Sequence, residues 1–190
     1  GGAKRCIVDC ENVETRGVDF HNSEGNSSIL DGFTIKNASF SHGAAIRCKG
    51  SSPVIRNCII KDNFGEYGVG IRCAEGASPI IENTLFTGNK SSNYGAGVYA
   101  VQGSKPKLIN CTITNNKADV TGGGVYCEDV HLTITNSILS DNKPNEVFSN
   151  DSQAHPDTTS LTILSSLIRG GRNGIKIEEN IKVAVNWLVG

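Results

Sequence analysis

The side chains best suited to binding chemistry form a spaced set: Asp19, Arg47, Arg72, Tyr99, Tyr126 and Phe148, followed by Lys176. Most sit between small or apolar neighbours, as in Val18-Asp19-Phe20, Ile46-Arg47-Cys48, Ile71-Arg72-Cys73 and Val125-Tyr126-Cys127. Such period-two alternation belongs to a strand with one face buried, so the named residues point outward. On neighbouring strands, Tyr99, Tyr126 and Phe148 form a flat aromatic ladder, and Arg47 and Arg72 a small cationic patch beside Asp19. The chemistry this suggests is glycan binding, with rings packed on sugar faces and guanidinium groups paired with uronate carboxylates. A purely structural ladder is the weightier reading on residue types alone, because cross-strand aromatic pairs stabilise one another by ~0.2–1 kcal/mol.

Other chemistry finds less support. Carboxylates dense enough to hold Ca²⁺ are lacking: Glu128 and Asp129 are adjacent, and Glu75 lies two repeats away. Calcium is therefore an unsupported option, no catalytic residue can be assigned, and no other cofactor is indicated. His21, His131 and His155 are scattered through turns and loops. The seven cysteines are an odd number, so at least one is unpaired within the chain. Cys48, Cys73 and Cys127 share one repeat position, where Ala100 also occurs; Cys58 and Cys111 share another, where Thr84 and Ser137 occur. Replacement by small residues is the mark of core packing rather than ligation. Cys48 and Cys73 are close enough to bridge in principle, and their redox state stays open.

The element that positions all of these is a repeated phrase. Ser52-Pro53-Val54-Ile55-Arg56-Asn57-Cys58-Ile59-Ile60 returns from Ser78 and again from Pro106. Each copy closes on a glycine-rich strand: Gly68-Val69-Gly70-Ile71, Gly95-Ala96-Gly97-Val98, Gly122-Gly123-Gly124-Val125. Asn57, Asn83, Asn110 and Asn136 stand 26, 27 and 26 residues apart. A fixed period of this size signals stacked repeats. Three short β-rich runs per 25–27 residues predict a parallel β-solenoid of roughly six coils, all-β, with neighbouring strands ~4.8 Å apart. The four asparagines fall at a sharp bend that favours the left-handed conformation. They are expected to form a structural, hydrogen-bonded ladder. A second structural column, Asn63, Asn89, Asn116 and Asn142, ends the next strand.

Lys and Arg total 18 against 19 for Asp and Glu, so no global field draws nucleic acid or anionic membrane. No apolar run approaches the ~18 residues of a transmembrane segment. The chain has no Met, which suggests a piece of a longer protein with flanking domains and with its targeting segment cut away. The array fills 1–190 as a single domain, with a protruding polar loop expected over 150–159.

The Ser-Pro-x-Ile-x-Asn-Cys-x-Ile phrase with its Gly-x-Gly-[Ile/Val]-x-Cys closure resembles the right-handed parallel β-helix repeats of the pectate-lyase-like superfamily. Ile7-Val8-Asp9-Cys10-Glu11-Asn12 and Leu30-Asp31-Gly32-Phe33-Thr34-Ile35 look like repeats of large bacterial secreted and surface proteins. The resemblance implies an extracellular or cell-surface setting. It leaves two functions: a structural or adhesive module that binds host or cell-surface glycan, or a polysaccharide lyase or related carbohydrate-active enzyme acting on acidic polysaccharide. Hydrolase relatives carry Asn-Thr-Asp, Asp-Asp, Gly-His-Gly and Arg-Ile-Lys. The nearest strings here are Asn83-Thr84-Leu85, Ser41-His42-Gly43 and Gly174-Ile175-Lys176, with no Asp-Asp, which disfavours that class.

Overall fold

The computed structural model of the protein describes residues 3, 6–152, 159–177 and 181–187. Each repeat closes one coil. The coil around Asn57 runs through Val54–Arg56, Ile59–Lys61, Phe64–Tyr67 and Ile71–Ala74, and the strands of the next coil lie parallel beside them. About six such turns make a β-solenoid of three sheets, with 13, seven and four strands. The large sheet takes two strands from a coil, one on each side of the asparagine bend. Its two arms meet in the long strand Ser160–Ile168.

Alternation along each strand builds the interior. Ile35, Ile60, Phe86, Ile113, Leu139 and Ile168 stack in register from coil to coil, all buried. Ile55, Ile81, Leu108, Ile134 and Ile163 form a second stack on the other arm, and Ile46, Ile71, Val98, Val125 and Val147 a third under the seven-stranded sheet. These columns form one continuous core. Its stabilisation is the burial of apolar surface, roughly 25 cal/mol per Å².

The bends carry the polar part of the design. Asn57, Asn83, Asn110 and Asn136 have φ of 54°, 48°, 53° and 50°, and Gly32 in the first copy has φ 76°. Their side chains are exposed, Asn57 donates to the Asp31 carboxylate at 2.8 Å, and no hydrogen bond links one asparagine of this column to the next among the described residues. The expected ladder runs through the second column, whose side chains point inward. Asn63 Nδ2 donates to Asn89 Oδ1 at 2.8 Å, Asn89 to Asn116 at 2.9 Å, and Asn116 to Asn142 at 2.9 Å. Each Oδ1 also accepts a backbone N–H from the preceding coil, and each Nδ2 also donates to a core carbonyl. Asn142 ends the row by donating to the Glu146 carboxylate through both its backbone N–H and its Nδ2.

All seven cysteines are free, and all but Cys6 are buried. Cys48 and Cys73 are neighbours in register, both free and wholly buried. The Cys58, Thr84, Cys111 and Ser137 position has a simple rationale: each side chain donates to the carbonyl two residues before it. A thiol and a hydroxyl both do this, which is why the residue types interchange. Between the strands Val147–Asn150 and Ser160–Ile168, Ser152 N–H donates to Asp129 at 2.8 Å and Thr159 N–H to Asp151 at 2.7 Å. The centre of the expected protruding loop, 153–158, lies outside the described residues. Among the described residues no helix is long and apolar enough to cross a membrane.

Candidate functional site

The seven-stranded sheet brings the sequence-selected residues into one outward column. Asp19 pairs with Arg47, Arg47 with Arg72, Arg72 with Tyr99, Tyr99 with Tyr126, Tyr126 with Phe148, and Phe148 with Lys176. A second column, which the sequence reading missed, faces it across the bend from the four-stranded sheet. There His42 lies in register with Tyr67, and Tyr67 with Tyr94. The bend between the columns is made at Gly68 and Gly95, with φ of 66° and 64°. A Cβ on Gly95 would lie 2.7 Å from the Tyr99 Cβ, and one on Gly68 would lie 2.8 Å from it. The first glycine of each Gly-x-Gly therefore makes the turn and the room for the ring above it.

All four tyrosines of the chain meet at this corner. Tyr99 stacks on Tyr126 with centroids 5.0 Å apart, and Tyr126 on Phe148 at 5.3 Å, each pair within 16° of parallel. His42 stacks on Tyr67 at 4.9 Å. The columns are joined by Tyr67 against Tyr99 at 6.0 Å and Tyr94 against Tyr126 at 5.1 Å. Register alone causes this stacking, because strands ~4.8 Å apart hold successive rings face to face. The outcome changes the expected chemistry. Ring faces are occupied by other rings, and Tyr126 and Phe148 are only 6% and 5% exposed, so the ladder offers no open platform for a sugar face. What remains accessible is the edges and hydroxyls of the half-buried Tyr67, Tyr94 and Tyr99. Tyr126 donates its hydroxyl to Glu128 at 2.9 Å; the other three hydroxyls have no protein partner among the described residues. Burial, reinforced by the Glu128 charge, pushes the Tyr99 hydroxyl up to about 12, so it stays a neutral donor.

At the N-terminal end of the columns the rings give way to guanidinium groups. Arg47 grips Asp19 with two hydrogen bonds, at 2.8 and 2.7 Å. Arg16, also missed in the sequence, donates to the same carboxylate at 2.9 Å and to the carbonyls of Gly43 and His42 at 2.8 and 2.7 Å. It lies 4.3 Å above the Phe40 ring. Burial and the nearby Arg47 charge lower the Arg16 pKa, and burial with the Arg72 charge lowers that of His42. Arg72 stands apart. It lies 5.9 Å from the Tyr99 ring centre, forms no ion pair among the described residues, and has a buried Nε with no acceptor. Two guanidinium groups thus share the Asp19 carboxylate, and a third, Arg72, follows in register without one.

At the other end, Lys176 lies 5.4 Å from the Phe148 ring centre, beside a cleft of about 270 Å³ bordered by Tyr94, Tyr126, Phe148 and Asn150. The carboxylates considered for calcium are engaged separately. Glu75 pairs with Lys49 at 3.2 Å, Glu128 accepts from Tyr126, and Asp129 accepts from Ser152. Among the described residues no group of three or more His, Cys, Asp or Glu comes together as a cation site.

Compared with known proteins, residues 6–186 match the family described as right handed beta helix region. No curated protein and no solved structure matches the chain.

Proposed function

The chain belongs to the right-handed β-helix family, and from that premise we propose that it is a non-catalytic module that binds an extended acidic glycan. The ligand lies along the corner between the four- and seven-stranded sheets, in an extracellular or cell-surface setting. Arg72 carries this reading. It is half-buried, forms no ion pair among the described residues, and has an orphaned Nε, where their other buried side-chain polar atoms, apart from Ser104 and Ser149 Oγ, all have a partner. A ligand carboxylate gives the Arg72 guanidinium the charge partner that no described residue supplies, since a guanidinium group pairs strongly with a carboxylate. The Tyr67, Tyr94 and Tyr99 hydroxyls then bond the sugar hydroxyls coil by coil.

The lyase alternative calls for a basic residue facing two carboxylates over one cleft. This corner has the inverse, two guanidinium groups on the single carboxylate of Asp19 and a third, Arg72, next in register. A glycan screen with and without Ca²⁺ tests both readings. Uronate polymers should bind without any growth in the ultraviolet absorbance of an unsaturated product. Arg72→Gln should weaken binding about tenfold, the equivalent of ~1.4 kcal/mol for a lost charged hydrogen bond. Tyr67→Phe/Tyr94→Phe/Tyr99→Phe, which keeps every ring and removes three hydroxyls, should weaken it as well. Time-dependent absorbance would replace the binding module with an enzyme; unchanged affinity in both variants would remove the corner as the site.

A further inference from the structure

Three times the chain writes Asn-Lys: Asn89-Lys90, Asn116-Lys117 and Asn142-Lys143. The asparagines are members of the buried ladder, so each lysine leaves the core at a point that the ladder fixes. Lys90 pairs in register with Lys117, and Lys117 bridges to Lys143. Their backbone N–H groups donate to the carbonyls of Asn63, Asn89 and Asn116, each at 2.9 Å. All three side chains are exposed. The four-stranded sheet, with the Lys143 bridge beyond its edge, thus presents ammonium groups from positions ~4.8 Å apart.

Like charges placed directly opposite each other on neighbouring strands are destabilising. Little here offsets them. Lys117 has Asp119 at 3.1 Å, an exposed pair, while Lys90 and Lys143 form no ion pair among the described residues. The next position along the row is Phe64, in register with Lys90 and 54% exposed. Unlike the corner rings, Phe64 has no ring partner among the described residues. The row is therefore three exposed cations, two of them without an ion pair among the described residues, ending on an open aromatic face.

We propose that Phe64, Lys90, Lys117 and Lys143 form a second binding site, independent of the corner, for a linear and strongly acidic polysaccharide. One coil per step is close to the length of one pyranose unit, so successive sugars meet successive lysines. Ammonium is a compact point charge without the directional fork of Arg, suited to sulfate groups and tolerant of their exact placement. Phe64 supplies an apolar face for the terminal ring.

Heparin is the probe, with inorganic polyphosphate and uncharged dextran beside it. Heparin should bind the protein and dextran should not. Lys90→Ser/Lys117→Ser/Lys143→Ser should weaken heparin binding at least about tenfold and flatten its salt dependence. The same variant should melt no lower than the parent, because it relieves repulsion. Lys105→Ser/Lys107→Ser/Lys182→Ser makes the same change in net charge elsewhere and should leave affinity within about twofold. Arg72→Gln should also leave it unchanged, which separates this site from the corner. Equal losses in the two lysine variants, or no heparin binding at all, would overturn the proposal. A loss with Arg72→Gln as large as that of the Lys90/Lys117/Lys143 variant would place heparin in the corner instead and would also overturn it. Polyphosphate binding as tight as heparin would overturn the polysaccharide assignment.

Discussion

At the end of the asparagine ladder, Glu146 does with a carboxylate what its neighbours do with an amide. It accepts both donors of Asn142 while only 4% exposed. Burial raises its pKa above the ordinary 4.5, and the hydrogen bonds from Asn142 offset only part of that rise. The folded protein therefore binds this proton more tightly than the unfolded chain. Between the ordinary carboxylate range and the raised value the native state holds more protons, so the contribution of Glu146 to stability falls as pH rises. Glu146→Gln keeps an acceptor for Asn142 and removes the buried charge. Urea unfolding should show the variant more stable than the parent at pH 7, with the difference shrinking as pH drops below the ordinary range. A variant less stable than the parent at pH 7 would mean that the ionised carboxylate is what the ladder requires.

The two asparagine columns differ in what an element asks of a residue. Asn83 turns the chain at φ 48° with its side chain in water, whereas Asn89 is fully buried and bonded on both sides. Asn83→Gly should change stability by less than about 1 kcal/mol, since glycine accepts that backbone freely. Asn89→Ala strands the inward-facing Asn63 amide and the Ile60 carbonyl, at a cost of about 2–4 kcal/mol. Denaturant midpoints of the two variants check the contrast. Both columns were visible in the sequence as a period. Which one carried the ladder was not, because that depends on which side of the bend faces the core. The missed His42, Tyr67 and Tyr94 had a signal of their own, since each stands directly before a positive-φ glycine. They differ in residue type, however, and the pairing of their strands slips between Ser91 and Tyr94, which hides the column from a strict alignment.

As a whole molecule, the solenoid converts one-dimensional spacing into a surface with a repeat, and that is why so much was legible before any coordinates. Register fixed the order Asp19, Arg47, Arg72, Tyr99, Tyr126, Phe148 and Lys176 along the seven-stranded sheet. The same register decided against the expected ring-face chemistry, because strand spacing sets adjacent rings on one another and leaves their edges to a ligand. A ligand that follows the coils should gain contacts one coil at a time. The most direct measurement is a titration of the protein with uronate oligosaccharides of increasing length, repeated on Arg72→Gln. Affinity should climb with each added sugar until the chain spans the columns and then level off, and Arg72→Gln should be weaker at every length by about tenfold. Affinity that ignores length, or an Arg72→Gln protein that binds as the parent does, would contradict a glycan held along this corner.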